Sequence, residues 1–335
     1  MQAPAAGDHI AIVATEKTSH GAELAWIDEH GDRRELLLQP AATRVRDTNP
    51  AVSPDGKWIV FASSRGRSID ETNLWIAPVV PGAAPVPLTT GPAIDAQPAW
   101  APDGSLVFAS TRDGGDFDLY RAELVAEPRP HLDHVVALTD APGHEVTPTV
   151  AHDGSIAYAS VASLGGDAVD SHLEVRAPDG AIRKLTSGPA DSTPAVSPDG
   201  TQVAFSRPFV RGDSVDAELW TMPLAGGDAT RVIDLPLTDE TGPVWSPDGR
   251  YLFATSLLRG SDGHTVFSSV IFVDLRETPR IARMLRDRAG AIARLTPAIV
   301  APALDAAALR SDPEYLPELA KIMAGPILEA KQHGP

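Results

Sequence analysis

The feature that most constrains this chain is a short segment that occurs five times. Residues 47–56 read DTNPAVSPDG and residues 191–200 read DSTPAVSPDG, which differ only at the second and third positions. The related segments QPAWAPDG, TPTVAHDG and GPVWSPDG begin at Gln97, Thr147 and Gly242. Successive turn aspartates are 48, 50, 46 and 49 residues apart: Asp55, Asp103, Asp153, Asp199 and Asp248. A period near 50 residues is typical of an array of similar structural units, which we number repeats 1 to 5.

Each repeat predicts a meander of four strands. The Pro-Asp-Gly stretch predicts a tight turn, because proline presets φ and glycine accepts a positive φ. The strand after the turn, such as WIVFAS at 58–63, is apolar on both faces, so we expect it to be buried on both sides of its sheet. A third strand (NLWIAPV, DLYRAEL, ELWTMPL) and a fourth (VPLTTGP, IRKLTSGP) complete the unit. Such units favour a β-propeller, whose blades pack face to face around an axis.

Both ends of the chain contribute to a predicted sixth blade. Three strands precede repeat 1, and RLTPAIVAP at 294–302 resembles the first-strand segment of a repeat. We therefore predict an all-β, six-bladed β-propeller of four-stranded antiparallel blades over residues 8–302, closed by both termini so that no sheet edge stays open. The predicted blades are 8–40 with 294–302, 42–92, 93–143, 144–190, 191–237 and 238–287.

Residues 303–335 differ in character from the repeats, because they are rich in alanine and leucine. Asp312 and Pro313 are typical of the start of a helix, while Pro317 and Pro326 limit any helix to a short one. We predict a C-terminal tail of short helices packed on the propeller rim. A mobile arm that docks a partner or blocks the channel is the alternative.

Charge and cysteine content restrict the partners and the chemistry. The 28 Lys and Arg residues against 45 Asp and Glu residues give a formal net charge of −17. This excess argues against nucleic-acid backbones and favours cations, basic proteins or neutral ligands. The absence of cysteine excludes disulfides and thiolate chemistry.

The sequence shows no segment of the kind that crosses or targets a membrane. No apolar run approaches the roughly 18 residues that a transmembrane span needs. The first residues, MQAPAAGDHI, lack the basic and apolar regions of a secretory leader, so we expect that a leader is not present in this chain.

The stretch QPAWAPDGSLVFASTRDGGDFDLYRAEL at 97–124 resembles the repeats of TolB-type β-propellers, through its P-x-W-S/A-P-D-G turn and its S-T-R-D-G stretch. The segment PVWSPDG at 243–249 is equally similar, and the likeness extends directly over about 47–275. These P-x-W-S-P-D-G repeats are WD-like. The resemblance implies a six-bladed scaffold that binds proteins outside the cytoplasm, in the periplasm or the extracellular space of a bacterium. It specifies the repeat better than the function, because the same blade occurs in peptidase propellers, lyases and binding proteins.

An acidic residue stands three positions before the first proline of every repeat. The five are Asp47, Asp95, Glu145, Asp191 and Glu240, and Arg294 takes the equivalent position in the closing segment. In a meander this position lies on the face opposite the Pro-Asp-Gly turns, where the innermost strand starts. We therefore predict a ring of carboxylates around the mouth of the central channel.

Three roles are open for this ring. Like charges in proximity repel unless a positive group lies nearby. A basic side chain of a protein or peptide partner would supply one, and so would Ca²⁺ bound by Asp95, Glu145, Asp191 and Glu240. In a purely structural role, Arg65, Arg112 and Arg294 would pair with the ring inside the chain, and its carboxylates would accept hydrogen bonds from loop backbone.

The predicted function is binding of a protein or basic peptide by a monomeric propeller, through an acidic channel face. Loop acids on the same face, including Asp70, Glu71, Asp116, Asp118 and Asp170, add to its negative charge. The sequence contains no nucleophile elbow, zinc-protease motif or phosphate-binding loop, so we predict no catalytic residues. The alternative is a metal-dependent hydrolase or lyase acting on a carbohydrate or lactone, with histidines from His20, His144, His172 and His264.

Overall fold

The regular structure of the described residues is β-strand. The computed structural model describes residues 10–18, 21–28, 33–37, 44–162, 170–188, 190–211, 214–235, 238–259, 265–285 and 295–300. Within these ranges, no helix of the length and apolar character needed to cross a bilayer is found. The predicted tail at 303–335 and Arg294 lie outside the described residues.

Repeats 2 to 5 each form one four-stranded antiparallel sheet, with its strands in chain order. The strands are β8 (Asp95–Trp100), β9 (Leu106–Ser110), β10 (Asp118–Val125) and β11 (His131–Ala137) in repeat 2; β12 (His144–Val150), β13 (Ile156–Val161), β14 (Ser171–Arg176) and β15 (Ile182–Lys184) in repeat 3; β16 (Ser192–Val196), β17 (Gln202–Arg211), β18 (Ser214–Pro223) and β19 (Thr230–Arg231) in repeat 4; and β20 (Thr238–Trp245), β21 (Tyr251–Arg259), β22 (Thr265–Asp274) and β23 (Ala282–Leu285) in repeat 5.

The remaining strands form one eight-stranded sheet, so the prediction of six separate blades is wrong: the described residues form five sheets. The four antiparallel strands of repeat 1 are β4 to β7, and a second antiparallel set consists of β24, β1, β2 and β3. The two sets are joined because β2 and β4 pair in parallel at Gly21–Val45 and Ala22–Arg46. The strands of this sheet are β1 (Ile10–Thr18), β2 (Gly21–Asp28), β3 (Arg33–Glu35), β4 (Val45–Val52), β5 (Trp58–Ser63), β6 (Asn73–Pro78), β7 (Val86–Pro87) and β24 (Leu295–Val300).

The first strands of the repeats lie next to one another around a common axis. Strands β4, β8, β12, β16 and β20 contact one another in that order, and β24 contacts both β20 and β4. Strand β24 also pairs with β1 in antiparallel fashion. The N-terminal and C-terminal strands therefore close the ring together.

The Pro-Asp-Gly segments form the predicted turns between first and second strands. In repeat 1 the Gly56 N–H donates to the Ser53 carbonyl at 2.8 Å, and Gly56 has a φ of 70°. The Asp55 carboxylate accepts from the Ser53 hydroxyl at 2.6 Å and from the Lys57 N–H at 3.1 Å. The same glycine hydrogen bond recurs in the other four repeats. The turn at the end of each repeated segment therefore serves folding.

The hydrophobic core is divided into layers between adjacent sheets. Between repeats 1 and 2, for example, Leu74 and Ile76 pack with Phe108 and Tyr120. The second strands are buried on both faces, as Phe61 and Phe108 show with no exposed surface. Apolar burial of this kind is strong but non-directional, so the angles between sheets must be fixed by other contacts.

The residue before the first proline of every repeat adopts a left-handed backbone conformation. Its φ lies between 48° and 62° in all five: Asn49, Gln97, Thr147, Thr193 and Gly242. A shift in strand register falls at the same place in each repeat. Only glycine adopts this conformation without cost, so four of the five first strands carry local backbone strain.

Thr147 is the position where this strain is best tested. Its hydroxyl is buried and has no hydrogen-bond partner among the described residues, whereas the Thr193 hydroxyl accepts the Gly242 N–H at 3.3 Å. Replacing Thr147 with glycine, the residue that repeat 5 uses, should therefore raise the free energy of unfolding by about 1 kcal/mol. Urea denaturation measures this change.

Thr149→Gly is the matched control for that substitution. Thr149 lies in the same strand, is not among the positive-φ residues, and accepts the Val196 N–H at 3.2 Å. Its replacement should destabilise the protein. Equal destabilisation by the two substitutions would show that the left-handed conformation at Thr147 carries no strain.

Candidate functional site

The five acidic residues that precede the repeat prolines are all buried. Their exposed fractions lie between 0 and 2%: Asp47, Asp95, Glu145, Asp191 and Glu240. Each stands at or near the start of the first strand of its repeat. The structure thus places them together at one end of the first strands, beneath the loops that join second and third strands.

Three of the five carboxylates pair with an arginine of their own repeat. Arg65 Nη2 lies 2.6 Å from Asp47 Oδ2, and Arg112 Nη2 lies 2.9 Å from Asp95 Oδ1. In repeat 4, Arg207 contacts both oxygens of Asp191, at 2.6 and 2.8 Å. Charge-assisted bonds with this geometry are the strongest hydrogen bonds that proteins make.

The backbone of the same acidic residues bonds to the preceding sheet. The Asp95 N–H donates to the Thr72 carbonyl at 2.9 Å, and the Asp191 N–H donates to the Ser171 carbonyl at 3.2 Å. In the same way, the Glu145 N–H donates to the Phe117 carbonyl at 2.6 Å. Each of these residues therefore connects two sheets, in addition to any bond that its side chain makes.

Glu145 differs from these three because no arginine or lysine pairs with it among the described residues. Neither oxygen of its carboxyl group has a hydrogen-bond partner there. Burial raises the pKa of Glu145 to about 7, and the carboxylates of Asp118 and Glu174 raise it further, while the Thr139 hydroxyl opposes them. The side chain consequently lies in an acidic cluster between repeats 2 and 3.

Glu240 in repeat 5 is also without an arginine partner in the described part of the chain. The Ser256 hydroxyl donates to its Oε1 atom at 3.0 Å, and Oε2 has no hydrogen-bond partner there. Burial raises the pKa of Glu240 to about 8, and Glu218 and Asp239 add to this shift.

The acidic groups that solvent reaches on this face belong to the loops. Asp70 has a side chain that is 86% exposed, and Glu71 has one that is 48% exposed. They carry weak partners, since Arg46 lies 3.6 Å from Asp70 and Arg67 lies 3.5 Å from Glu71. Exposed pairs at such distances leave most of the carboxylate available to other cations.

The histidines of this face make internal contacts. The Nδ1 atom of His144 accepts the Phe117 N–H at 3.1 Å, and the Nε2 atom of His172 lies 3.1 Å from Glu174 Oε1. Over the residues that the structure describes, no group of three or more Asp, Glu or His side chains is placed to hold one metal ion. His20 and His264 lie outside these residues.

A cleft of about 550 Å³ lies on the opposite face, between the turns of repeats 4 and 5. Its walls include Asp199, Asp248, Trp245 and Arg280. No sequence motif predicts a cleft here, because its walls combine residues that are far apart in the chain.

The internal pairing that we considered for Arg65 and Arg112 is present, and Arg207 plays the same part without having been predicted. Arg207 directly follows Ser206, whereas Arg65 comes two residues after Ser63. Arg207 therefore does not align with Arg65 and Arg112 when the repeats are compared position by position. Partner binding by the ring, and calcium binding by Asp95, Glu145, Asp191 and Glu240, stay predictions.

Comparison with known proteins adds a family relationship. The TolB beta propeller domain family matches residues 6–215. The Tol-Pal system protein TolB of Francisella tularensis subsp. tularensis is 29% identical over 206 residues, which are 60% of this chain and 44% of that protein. The chain thus spans less than half the length of that relative.

Solved structures show the same fold at low identity. The crystal structure of TolB from Acinetobacter baumannii has a TM-score of 0.61 and 17% identity, covering 87% of this chain and 66% of that one. A TolB structure from Agrobacterium tumefaciens has a TM-score of 0.58 and 18% identity, covering 85% of this chain and 92% of that one. At such identities the likeness establishes the architecture alone.

The buried Asp191–Arg207 pair should be important for stability. Replacing Asp191 with asparagine leaves a largely buried guanidinium without its counter-ion, and the expected loss is about 3–5 kcal/mol of unfolding free energy. The control is Glu71→Gln, which removes an exposed pair and should cost less than about 1 kcal/mol. Similar losses in chemical denaturation for both variants would contradict this assignment.

Glu145 and Glu240 predict that stability falls as the pH rises. Their pKa values are about 7 and about 8 in the folded protein, against 4.5 for an ordinary glutamate. The unfolded chain therefore releases these protons first, and the stability that protonation provides is lost between about pH 5 and pH 8. The double variant E145Q/E240Q should remove most of this slope in urea denaturation.

The control for the pH series is E71Q/E123Q, which removes two exposed carboxylates. Its slope should equal that of the unchanged protein. If the E145Q/E240Q protein also keeps the full slope, other groups cause the pH dependence.

Proposed function

Because the chain belongs to the TolB beta propeller domain family, we propose that it is a scaffold that binds a protein or a basic peptide. Its relative in Francisella tularensis is named as a protein of the Tol-Pal system. The same relationship leads us to propose that the chain works outside the cytoplasm. We further propose that the propeller is monomeric.

The face that carries the second-to-third strand loops is the proposed binding surface. The observation that carries this proposal is the exposure of carboxylates there, with Asp70 and Glu71 as the clearest cases. A formal charge of −17 extends this local charge over the molecule. Such a field raises the association rate of a positively charged partner and disfavours an acidic one.

The buried carboxylates contribute to this surface from below. Arg65 and Arg112 stand at the beginning of the loops that lead to Asp70 and Asp116, and their pairs with Asp47 and Asp95 hold those loops in place. We propose that Asp191 with Arg207 does the same in repeat 4. In this view the ring residues position the binding surface, and the exposed loop acids contact the partner.

The positive group at this face is proposed to come from the partner. Among the described residues no three carboxylate or histidine side chains are placed to share one metal ion, so calcium at the channel mouth stays a prediction on which this proposal does not depend. The described residues also contain no observation that favours the metal-dependent hydrolase or lyase. The proposal therefore rests on protein recognition.

Affinity capture tests this function. The full chain is immobilised on a support and exposed to an extract of its source organism, and the captured proteins are identified. The affinity of each captured protein is then measured by titration at about 0.1 and 0.5 M salt. We expect a partner with a basic surface whose affinity falls as the salt concentration rises. The triple variant D70N/E71Q/D116N should bind about tenfold more weakly, since each exposed ion pair is worth up to about 1 kcal/mol.

The matched control is E123Q/D133N/D228N, which loses the same charge away from this face. Its affinity should equal that of the unchanged protein. Equal loss in both triple variants would mean that only net charge matters, and the absence of any salt-sensitive partner would contradict the proposed function.

A further inference from the structure

The cleft between the turns of repeats 4 and 5 is open at a place that side chains fill between repeats 1 and 2. Trp100 and Trp245 mark the matching positions, because each indole N–H donates at 2.9 Å to a carbonyl of the preceding repeat. Around Trp100, the side chains of Trp58 and Ile76 belong to the apolar layer. Trp245 instead lines the cleft of about 550 Å³.

Two polar residues replace those apolar side chains in repeat 4. Gln202 takes the place of Trp58, because each pairs with the proline that ends the third strand of its repeat. Thr221 takes the place of Ile76, since each stands two residues before that proline. Gln202 and Thr221 both line the cleft, and neither side chain has a hydrogen-bond partner among the described residues. An amide and a hydroxyl are therefore available to a ligand there.

The two turn aspartates that line the cleft each have a free carboxylate oxygen. In Asp199 and Asp248, the Oδ1 atom accepts the N–H two residues later at 3.0 Å and so holds the turn. Their Oδ2 atoms have no partner within the described part of the chain. In the other three turns this atom has a partner: Lys57 for Asp55, Arg121 for Asp103 and Ser155 for Asp153. Of the five turns described, only the two beside the cleft leave it free.

Arg280 adds a positive group to the same cleft. Its side chain is half-buried, and its guanidinium forms no ion pair or hydrogen bond with any described residue, Asp199 and Asp248 included. A guanidinium presents a planar fork of N–H donors that matches both oxygens of a carboxylate. The walls thus hold separate positive and negative groups, and a ligand that carries both charges can contact each of them.

The geometry of the acceptors favours an ammonium as the positive group of that ligand. Two oxygens from separate aspartates suit the three donors of an ammonium, whereas a guanidinium prefers both oxygens of a single carboxylate. Pro198, Trp245 and Leu275 supply apolar surface in the cleft, along which the methylene chain of a lysine can pack. These features together match a lysine that carries a free α-carboxylate.

We propose that this cleft binds lysine with a free α-carboxylate, either as the amino acid or as the last residue of a peptide. Arg280 binds the carboxylate, and Asp199 and Asp248 bind the ammonium. Gln202 and Thr221 contact the remaining polar atoms of the ligand. The site lies on the face opposite the proposed partner-binding surface, so it goes beyond the proposed function and does not rest on it.

Three acetylated peptides test the chemistry of the ligand. The first is acetyl-Gly-Gly-Lys with a free carboxylate, the second is its amide, and the third has norleucine, which lacks the ammonium, in place of lysine. Isothermal titration of the full chain should show one saturable site for the first peptide. The other two should bind at least about tenfold more weakly, because each loses one charged hydrogen-bonding group.

Free lysine distinguishes the two sources of the ligand. If lysine binds at least as tightly as acetyl-Gly-Gly-Lys, the ligand is the amino acid. If the peptide binds more tightly, the ligand is the end of a peptide chain. Both results support the proposed chemistry.

Arg280→Gln tests the carboxylate contact. The variant should bind acetyl-Gly-Gly-Lys at least about tenfold more weakly, and it should no longer prefer the free acid to the amide. The matched control is Arg276→Gln, which makes the same change at an exposed arginine that does not line the cleft. Equal effects of the two substitutions would overturn the assignment of Arg280.

The double variant D199N/D248N tests the ammonium contact. Asparagine keeps an oxygen for the turn hydrogen bonds but removes the charge, so the preference for lysine over norleucine should disappear. The control is D55N/D153N, which makes the same change in two turns away from the cleft and should keep that preference. If D199N/D248N also keeps it, the ammonium is bound elsewhere.

Gln202→Trp fills the cleft with the residue that repeat 1 has at this position. The affinity for acetyl-Gly-Gly-Lys should fall at least about tenfold, while the thermal stability should not decrease, because the added side chain buries apolar surface. Unchanged affinity in this variant would show that the peptide binds outside the cleft.

The results also separate this inference from the proposed function. The D70N/E71Q/D116N variant, changed on the opposite face, should bind acetyl-Gly-Gly-Lys as the unchanged protein does. If neither lysine nor the peptide shows saturable binding, or if the amide and norleucine peptides bind equally well, this inference is wrong. Capture of a salt-sensitive basic partner would still support the proposed function in that case.

Discussion

A buried carboxyl group at the start of the first strand, paired with an arginine in repeats 1, 2 and 4, is the feature on which the ring of sheets depends. Asp95 shows its three connections: its N–H bonds to the Thr72 carbonyl of the preceding sheet, its strand partner is Ser110, and its carboxylate holds Arg112. Apolar layers supply most of the attraction between sheets but do little to fix their angle. Directional bonds at one end of each first strand supply what the apolar layers lack.

The repeats have diverged at this joint in ways that follow from side-chain chemistry. Repeat 4 reaches Asp191 from Arg207, at a different distance along the second strand from that in repeats 1 and 2. Repeat 5 buries the carboxyl of Glu240, which accepts the Ser256 hydroxyl and lies near Glu218 and Asp239, so the proton remains bound to higher pH. Repeat 3 keeps Glu145 and the aromatic ring of Tyr158 without an arginine. A shared backbone framework thus supports three different electrostatic solutions.

The sequence predicts the parts of this fold that depend on local chemistry. Four of the five turns follow from Pro-Asp-Gly and the turn of repeat 3 from His-Asp-Gly, and the buried second strands follow from runs such as WIVFAS. The joining of β2 to β4 was not predictable, because two parallel pairs depend on how neighbouring sheets approach. The left-handed residues were partly visible, since Asn49 and Gly242 tolerate this conformation, but Thr147 and Thr193 normally avoid it.

The sequence predicts which five acidic residues form the candidate site, but it does not predict that they are buried. Spacing before the prolines identified all five acids, and the loop positions of Arg65 and Arg112 suggested internal pairs. Charged residues are normally exposed, so a sequence gives little warning that five carboxylates are interior groups. Their burial depends on the loops of the preceding sheet, which the repeat pattern alone does not place.

Burial of the ring changes how the charge of the molecule should be understood. A carboxylate paired with an arginine adds almost nothing to the field at a distance, because opposite charges a few ångströms apart nearly cancel. The negative field of the loop face must therefore come mainly from exposed acids such as Asp70 and Glu71. Stability and recognition consequently depend on different residues, with the paired acids fixing the framework and the loops above them free to vary in sequence. This separation explains how one repeat, copied five times, can keep a buried carboxyl group at the start of each first strand while the loops above it differ in sequence.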